Sequence, residues 1–305
     1  MLLKDFISGS VQELEPLYGQ EEAKSIVLML CEAVLDTKSY THIVNPEYTV
    51  DGNRLPELEA AMKRLQTGEP VQYVLGYTDF AGYRFKVNPS VLIPRPETEQ
   101  LFRISGESVA RRRRMMSAFG KNGVRVLDLC TGSGCLAWSL ALAYPGTRVL
   151  GTDISQEALD VASRQDFKSE LKKSGAVRPE FIQSDVLVQD DSSPLHHAVE
   201  KWGGFDILVS NPPYVRDSEK AVMRKNVCDF EPGTALFVPD SDPLVFYRAI
   251  AVWAGMALVD GGAGFVEINE AFGPETKQVF QKEGFSNVEV SNDFCGKNRF
   301  VKFIK

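Results

Sequence analysis

The sequence predicts an α/β protein: a mostly parallel sheet covered by helices on both faces, ending in an antiparallel C-terminal hairpin and preceded by a small helical domain. Three observations carry this. From Val124 onward, short and nearly continuous apolar runs alternate with helical stretches, the pattern of strands buried on both faces. Before about Thr67 the apolar residues instead recur at helical spacing. Between the two, "VQYVLGYTDFAGYRFKVNPSVLI" is rich in aromatic and β-branched residues and is punctuated by Gly76, Gly82 and Pro89, which is hairpin chemistry. The 305 residues are enough for about two domains. The expected division is a helical domain over 1–70, a β-hairpin linker over 71–92 and the sheet domain over 93–305.

In chain order, "EEAKSIVLMLCEAVLD" places Ala23, Ile26, Val27, Leu30, Ala33 and Val34 on one stripe, and "LPELEAAMKRLQ" repeats the period. The first strand of the large sheet is "VRVLDL", followed by the helical "CLAWSLALAY". "TRVLGTD" is the second strand and leads into the helical "SQEALDVASRQDFKSELKKSG". "PEFIQSD" and "FDILVS" are the third and fourth strands. The helix "PLVFYRAIAVWAGMAL" precedes the fifth, "AGFVEIN". "NVEVSND" and "RFVKFIK" are close enough in sequence to pair as an antiparallel hairpin at the sheet edge.

Composition narrows the function classes. No apolar run is long enough to cross a bilayer, and "MLLKDFISGS" carries an acid early and lacks a signal-peptide core. Cys31, Cys130, Cys135, Cys228 and Cys295 are scattered and contain no C-x-x-C pair, so reduced thiols in a cytoplasm are expected. His42, His196 and His197 show no ligand spacing, and no metal is expected. A net charge of −7 argues against binding nucleic-acid backbone. The run Arg111 to Arg114 reads as a solvated stretch of a connecting helix, with a docking patch for an acidic partner or RNA as the other reading. Nothing in the chain requires more than a monomer.

In an open parallel sheet, ligands sit beyond the carboxyl ends of the strands. Asp128, Asp153, Asp185 and Asn211 all fall there. The loop "VLDLCTGSGC" supplies Gly132 and Gly134, which let the backbone turn sharply beside a ligand. Gly132-x-Gly134-x-x-Ala137 with Asp153 downstream also satisfies the dinucleotide fingerprint. Asp128 separates the two cases, because a carboxylate at about 4 Å from a pyrophosphate costs roughly 4 kcal/mol at an effective dielectric of 20. S-adenosyl-L-methionine carries a sulfonium and an ammonium and no phosphate, so an acid there attracts it. Asp153 would accept from the ribose hydroxyls, and Asp185 from the adenine amine, with Val186 against the ring. A helix N-cap is the plainer role for any one strand-end Asp; three on successive strands beside a glycine loop favour the ligand site.

The fourth strand runs into "NPPY". Pro212 and Pro213 fix the backbone and hold Asn211 extended, so that the Asn211 side-chain oxygen and the Pro212 carbonyl form two rigid acceptors. Such a pair suits a planar –NH₂ group of an amide or aromatic amine, which it would orient toward a methyl donor. Tyr214 would pack against the target group. Asn-Pro also begins ordinary turns, but a rigid tetrapeptide at this strand end has a task there.

Taken together, "VLIPRPETEQL", "VLDLCTGSGC", "TDIS", "SNPPYV", "FEPGTALF" and the closing "GKNRF" resemble, in order and over nearly the whole chain, the release factor glutamine methyltransferases of the PrmC/HemK type. The resemblance implies a Rossmann-like methyltransferase sheet behind a helical domain that recognises the protein substrate. It implies transfer of a methyl group from S-adenosyl-L-methionine, leaving S-adenosyl-L-homocysteine. The acceptor it implies is the amide nitrogen of the glutamine in the Gly-Gly-Gln motif of class I peptide-chain release factors, which modulates translation termination. It makes Cys130, Thr131, Gly132, Ser133, Gly134, Asp153, Val186 and Asn211 the cofactor contacts, and Asn211, Pro212, Pro213 and Tyr214 the residues that hold the substrate glutamine. Arg95, Glu97 and Thr98 would line the mouth of the site or serve as a linker. Cys130 departs from the family, which has glycine there, and Val186 from members with a larger aromatic. A glutamine methyltransferase acting on a large-subunit ribosomal protein shares "LCTGSGC", but its pattern departs after "PR". A DNA adenine-amine methyltransferase shares "NPPY" but wants a basic face. A nucleotide-dependent oxidoreductase leaves "NPPY" without a task.

Overall fold

The computed structural model describes residues 1–118 and 123–305. The chain divides into two compact units, Met1–Tyr77 with Arg224–Phe230, and Thr78–Met223 with Glu231–Lys305.

The first unit begins with helices α1 (Leu3–Tyr18), α2 (Gln20–Leu35), the single turn α3 (Thr41–Val44), α4 (Leu55–Gln66) and α5 (Val71–Leu75). Leu3, Leu14, Ala23, Val27, Leu30, Leu58 and Leu65 are its most buried apolar residues and pack as one core. The stripe on α2 differs from expectation at one position: Ala33 is exposed, and Cys31 fills the core instead. The segment read as the start of a β-hairpin is helical over Val71–Leu75. Pro70 pre-sets the entry, and Gly76, at φ 79, closes the turn by donating its N–H to the Gln72 carbonyl at 2.8 Å. The hairpin itself is shorter, β1 (Tyr77–Phe80) and β2 (Tyr83–Lys86).

The second unit continues through the long α6 (Pro96–Ala118) into the alternating region. There lie β3 (Arg125–Leu129), α7 (Cys135–Ala143), β4 (Arg148–Asp153), α8 (Gln156–Ser163), α9 (Lys168–Ser174), β5 (Glu180–Gln183), α10 (Pro194–Trp202) and β6 (Phe205–Ser210). A short β7 (Val215–Arg216) follows, then α11 (Lys225–Phe230), which belongs to the first unit, and β8 (Phe237–Val238) paired in parallel with β7. The chain ends with α12 (Val245–Ala257), β9 (Leu258–Glu267), α13 (Gly273–Lys282), β10 (Ser286–Asn292) and β11 (Asn298–Ile304).

Among the described residues, seven strands form the large sheet in the order β10-β11-β9-β6-β3-β4-β5. β9, β6, β3, β4 and β5 run parallel, while β11 and β10 are antiparallel to their neighbours, as the fold prediction requires. Successive residues of a strand face opposite sides of a sheet. Leu127 and Leu129 of β3 accordingly join Leu208 and Trp253 on one face, and Val126 joins Ile207, Val209, Phe265 and Trp138 on the other. Both faces are covered, which is why these strands read as unbroken apolar runs. The chain leaves β3 for β4 on one side and returns to β6 on the other, so the switch point lies at the carboxyl ends of β3 and β6.

Two other expectations change. The stretch after β4 forms two helices because the chain breaks at the buried Gln165. Its side chain accepts from the Lys86 N–H at 2.8 Å and donates to the carbonyls of Lys86 and Ser133 at 3.0 and 3.1 Å. The arginine run is not uniformly solvated. Arg112 donates at 3.0 Å to the buried Asp206, whose other oxygen accepts from the Arg125 N–H at 2.9 Å. Among the described residues, no helix is long and apolar enough to cross a membrane.

Candidate active site

A cavity of about 320 Å³ opens over the carboxyl ends of β3, β4, β5 and β6, within the second unit. Cys130, Thr131, Gly132 and Ser133 after β3, Asp153 ending β4, Asp185 and Val186 after β5, and Asn211 and Pro213 after β6 all line it. The predicted strand-end residues are thus brought to one place. Gly134 lies behind the loop: it opens α7 at φ 77, where an added Cβ would stand 3.0–3.2 Å from Trp138, Ala162 and Phe181. Pro212 and Tyr214 lie beside the wall rather than on it. Pro212 is buried, and Tyr214 packs its ring against the apolar core.

The loop geometry explains its composition. Thr131 N–H donates to the Thr152 carbonyl at 2.8 Å, and Gly132 N–H to Asp153 Oδ2 at 2.8 Å, which ties the loop to the end of β4. Asp153 Oδ1 accepts from the Ser155 N–H at 3.0 Å, so the carboxylate is held at both oxygens. Its burial raises its pKa, and these N–H donors oppose the rise. Cys130 sits at φ 60, in the left-handed region that favours glycine. A glycine would take that torsion without strain, and Cys130 adopts it with a side chain. Burial pushes its thiol well above the ordinary range, with Asp153 and Asp128 adding to the effect, so it stays protonated.

Asp128 corrects the sequence reading. It is fully buried beneath the loop and does not line the cavity; its Oδ2 accepts from Thr131 Oγ at 2.6 Å. Burial pushes its carboxyl up to about 7, so it is not the standing charge at the ligand that was expected. The charge on the wall comes instead from Asp153 and Asp185. Among the described residues the lining contains no Lys, Arg or His. Asp185 Oδ1 accepts from the Leu187 N–H at 2.8 Å, and Val186 presents an apolar side chain beside it while its carbonyl accepts from Trp253 Nε1 at 2.8 Å.

The "NPPY" corner is fastened by a residue that sequence reasoning missed, Glu267 at the end of β9. Glu267 is fully buried; its Oε2 accepts from Thr98 Oγ1 at 2.8 Å and its Oε1 from Tyr214 Oη at 3.0 Å. Asn211 Nδ2 donates in turn to Thr98 Oγ1 at 3.0 Å. Burial raises the Glu267 carboxyl to about 7, against the opposing effects of the Thr98 and Tyr214 hydrogen bonds and of Arg299. The available signal was a carboxylate inside an apolar strand, since such a residue is rarely buried unless partnered. Of the three mouth residues, Thr98 lines the cavity, while Arg95 and Glu97 do not. Arg95 pairs at 2.5 Å with the buried Glu231 of the "FEPG" segment, and Glu231 also accepts from the Ile93 N–H at 3.1 Å. Pro232, Thr234 and Phe237, from the "FEPGTALF" segment, and Phe246 also line the cavity, and the sequence alone assigned none of them a role there. Away from the cavity, the exposed His197 and Glu200 and the half-buried His196 bring ligand-type atoms within 4.8 Å of one another on α10, a grouping the histidine spacing alone did not reveal.

Comparison with known proteins follows the same lines. Residues 113–229 match the family model of the methyltransferase small domain, and residues 10–76 that of the PrmC N-terminal domain. The chain is 36% identical to the release factor glutamine methyltransferase of Flavobacterium psychrophilum over 99% of both chains. To that of Bacteroides thetaiotaomicron it is 37% identical over 95% of both. A solved structure of the release factor-specific protein-(glutamine-N5) methyltransferase of Alicyclobacillus acidocaldarius matches 72% of this chain and 99% of its own, at 27% identity and a TM-score of 0.41. With this identity along nearly its entire length, the chain belongs to the release factor glutamine methyltransferase family.

Proposed function

We propose that the protein methylates the side-chain amide nitrogen of the glutamine in the Gly-Gly-Gln motif of class I peptide-chain release factors, using S-adenosylmethionine, as a monomer in the cytoplasm. The observation that carries the reading is the sign of the cavity wall. Its charged side chains among the described residues, Asp153 and Asp185, are both acidic. A pyrophosphate would be repelled there, whereas a sulfonium and an ammonium are attracted. The rest of the wall fits the same group. An added Cβ on Gly132 would meet nothing within 4 Å, leaving the backbone open to close approach, and Val186 offers an apolar face for an adenine. Cys130 to Ser133, Asp153, Asp185 and Val186 would hold the cofactor.

When bound, S-adenosylmethionine supplies an electrophilic methyl group. The chain's own part is to bind and aim the acceptor. The amide nitrogen of glutamine is a weak nucleophile because its lone pair is delocalised. Asn211 Oδ1 and the Pro212 carbonyl would each accept one of its hydrogens, fixing the plane of the –NH₂ group and favouring the positive charge that develops as the N–C bond forms. The nitrogen that carries the added methyl would be strongly acidic and would pass its proton to solvent water, so no buried general base is required. Residues 1–70 would recognise the body of the release factor, and 71–92 would join that domain to the catalytic one.

The test is to incubate the protein with methyl-labelled S-adenosylmethionine and a class I release factor. Label is expected on the Gly-Gly-Gln glutamine, and Asn211→Ala should lower kcat on the order of 10²-fold with a smaller effect on cofactor affinity. Label on a ribosomal protein or DNA in its place would overturn the substrate assignment.

A further inference from the structure

Glu267 does more than fill a strand end. The parallel register that pairs Ser210 of β6 with Val266 of β9 places Asn211 and Glu267 side by side at the carboxyl ends of neighbouring strands. Thr98, in the first turn of α6 and 2% exposed, bridges them.

The order of donors in this bridge is not free. Above about pH 7, where Glu267 is mostly ionised, its carboxylate only accepts. Thr98 has a single hydroxyl proton, and at 2.8 Å that proton goes to Glu267 Oε2. The Thr98 oxygen is then left with lone pairs alone, so Asn211 must offer it an N–H, as the 3.0 Å bond from Nδ2 records. The two ends of a carboxamide are nearly the same size, and only the hydrogen-bond network decides which end points where. With Nδ2 committed to Thr98, Oδ1 is the end left for the cavity. The second carboxylate oxygen is occupied by Tyr214 Oη at 3.0 Å, so Glu267 cannot swing away. Tyr214 is held at its other end, where its carbonyl accepts from Asn269 Nδ2 at 3.0 Å. Around Glu267, the facing charged and titratable groups are Arg299 of β11, Glu97 of α6, Tyr214, Tyr247 of α12 and Cys135 of α7.

We infer that Glu267, acting through Thr98, is a positioning residue that sets the direction of the Asn211 carboxamide, so that an oxygen and not an –NH₂ group meets the substrate amide. This rests on the function proposed above, in which Asn211 Oδ1 accepts a hydrogen from the target glutamine. Reversed, Asn211 would present donors to a donor, and the –NH₂ group of the substrate would lose one of its two acceptors.

Glu267→Gln tests the polarity with almost no change of shape. A glutamine can donate to Thr98 Oγ1, which releases the Thr98 proton toward Asn211 and turns the carboxamide around. At about pH 8, where Glu267 is ionised, the expected result is a fall in kcat on the order of 10²-fold. Affinity for S-adenosylhomocysteine, measured by calorimetry, should fall far less than kcat, because of the residues lining the cofactor cavity only the Asn211 amide is turned and the contacts of Cys130 to Ser133, Asp153, Asp185 and Val186 are left in place. Thr98→Val should give the same split between kcat and affinity, and Thr98→Ser should restore most of what valine loses. The Glu267→Gln, Thr98→Val double variant should be no worse than the poorer single one, since both break one chain. Wild-type kcat in both single variants, alongside a strongly impaired Asn211→Ala, would remove the relay and leave the proposed function intact. Undiminished turnover by Asn211→Ala would instead remove the reading beneath it. Parallel loss of product affinity and kcat in Glu267→Gln, or no recovery with Thr98→Ser, would make Glu267 a structural residue only and overturn the inference.

Discussion

Two buried carboxyls and one cysteine show how the site is built at the scale of single residues. Cys130 holds a left-handed torsion, φ 60, that costs a non-glycine residue about 1–2 kcal/mol. Its packing against the apolar core on the β3 side offsets part of that. Asp128 carries a different cost. Its pKa is about 7 in the folded protein against an ordinary value of 3.8, with burial as the main cause. The folded state therefore binds this proton more tightly than the unfolded chain does. Its contribution to stability is fully present below pH 3.8, declines as pH rises and is lost once pH passes about 7. Asp128→Asn keeps an acceptor for Thr131 Oγ1 and cannot ionise. The variant should gain melting temperature relative to wild type at about pH 8 and gain much less at about pH 5. Comparing the two proteins at each pH cancels the parallel slope from Glu267, whose carboxyl is also raised to about 7. A difference in Tm that does not change with pH would show that Asp128 is not the buried acid described.

At the scale of elements, the edge of the sheet depends on one missing side chain. Gly264 of β9 lies opposite Phe303 of β11, and a Cβ at that position would stand 2.0 Å from Phe303 Cζ. Phe303 cannot retreat, because it stacks on Phe280 of α13 at 4.2 Å and leans on Phe285 at 4.6 Å. Gly264→Ala should therefore destabilise the protein by about 1–3 kcal/mol, outweighing the gain from removing a glycine from a strand. Denaturant midpoints unchanged from wild type would refute this. The parallel strands were legible in the sequence because burial on both faces leaves unbroken apolar runs, as in "FDILVS". The turn Val71–Leu75 was not, since its aromatic and β-branched residues outweighed the Pro70 and Gly76 that bracket it. Glu267 was missed for another reason: its partners Thr98 and Tyr214 lie 169 and 53 residues away, and a local reading of "AGFVEIN" cannot see them. Asp128 was misplaced for a different reason: its partner Thr131 is local, but its burial comes from the flanking strands, where it pairs with Gly151 of β4 and Val209 of β6.

At the scale of the whole molecule, each unit has its own core. The buried residues of the first lie between Leu3 and Val71, and those of the second between Phe80 and Phe303. The cavity and the Glu267 relay draw only on the second unit. If the first unit serves to recognise the release factor, it adds binding energy far from the reacting atoms, and binding of that kind affects substrate and transition state alike. Its loss should raise KM for the intact factor and leave kcat nearly unchanged. A chain of residues 78–305 retains both cores of the second unit, and within it only Arg224–Phe230 is left without the unit it belongs to. This shortened chain is expected to bind S-adenosylhomocysteine as the full chain does. It should methylate a short Gly-Gly-Gln peptide with the kcat/KM of the full chain, while kcat/KM for an intact release factor drops on the order of 10²-fold, the equivalent of about 2.7 kcal/mol of docking energy. Steady-state kinetics with both substrates decides the matter. Equal losses on peptide and intact factor would mean that residues 1–77 support the catalytic unit and do not recognise the partner.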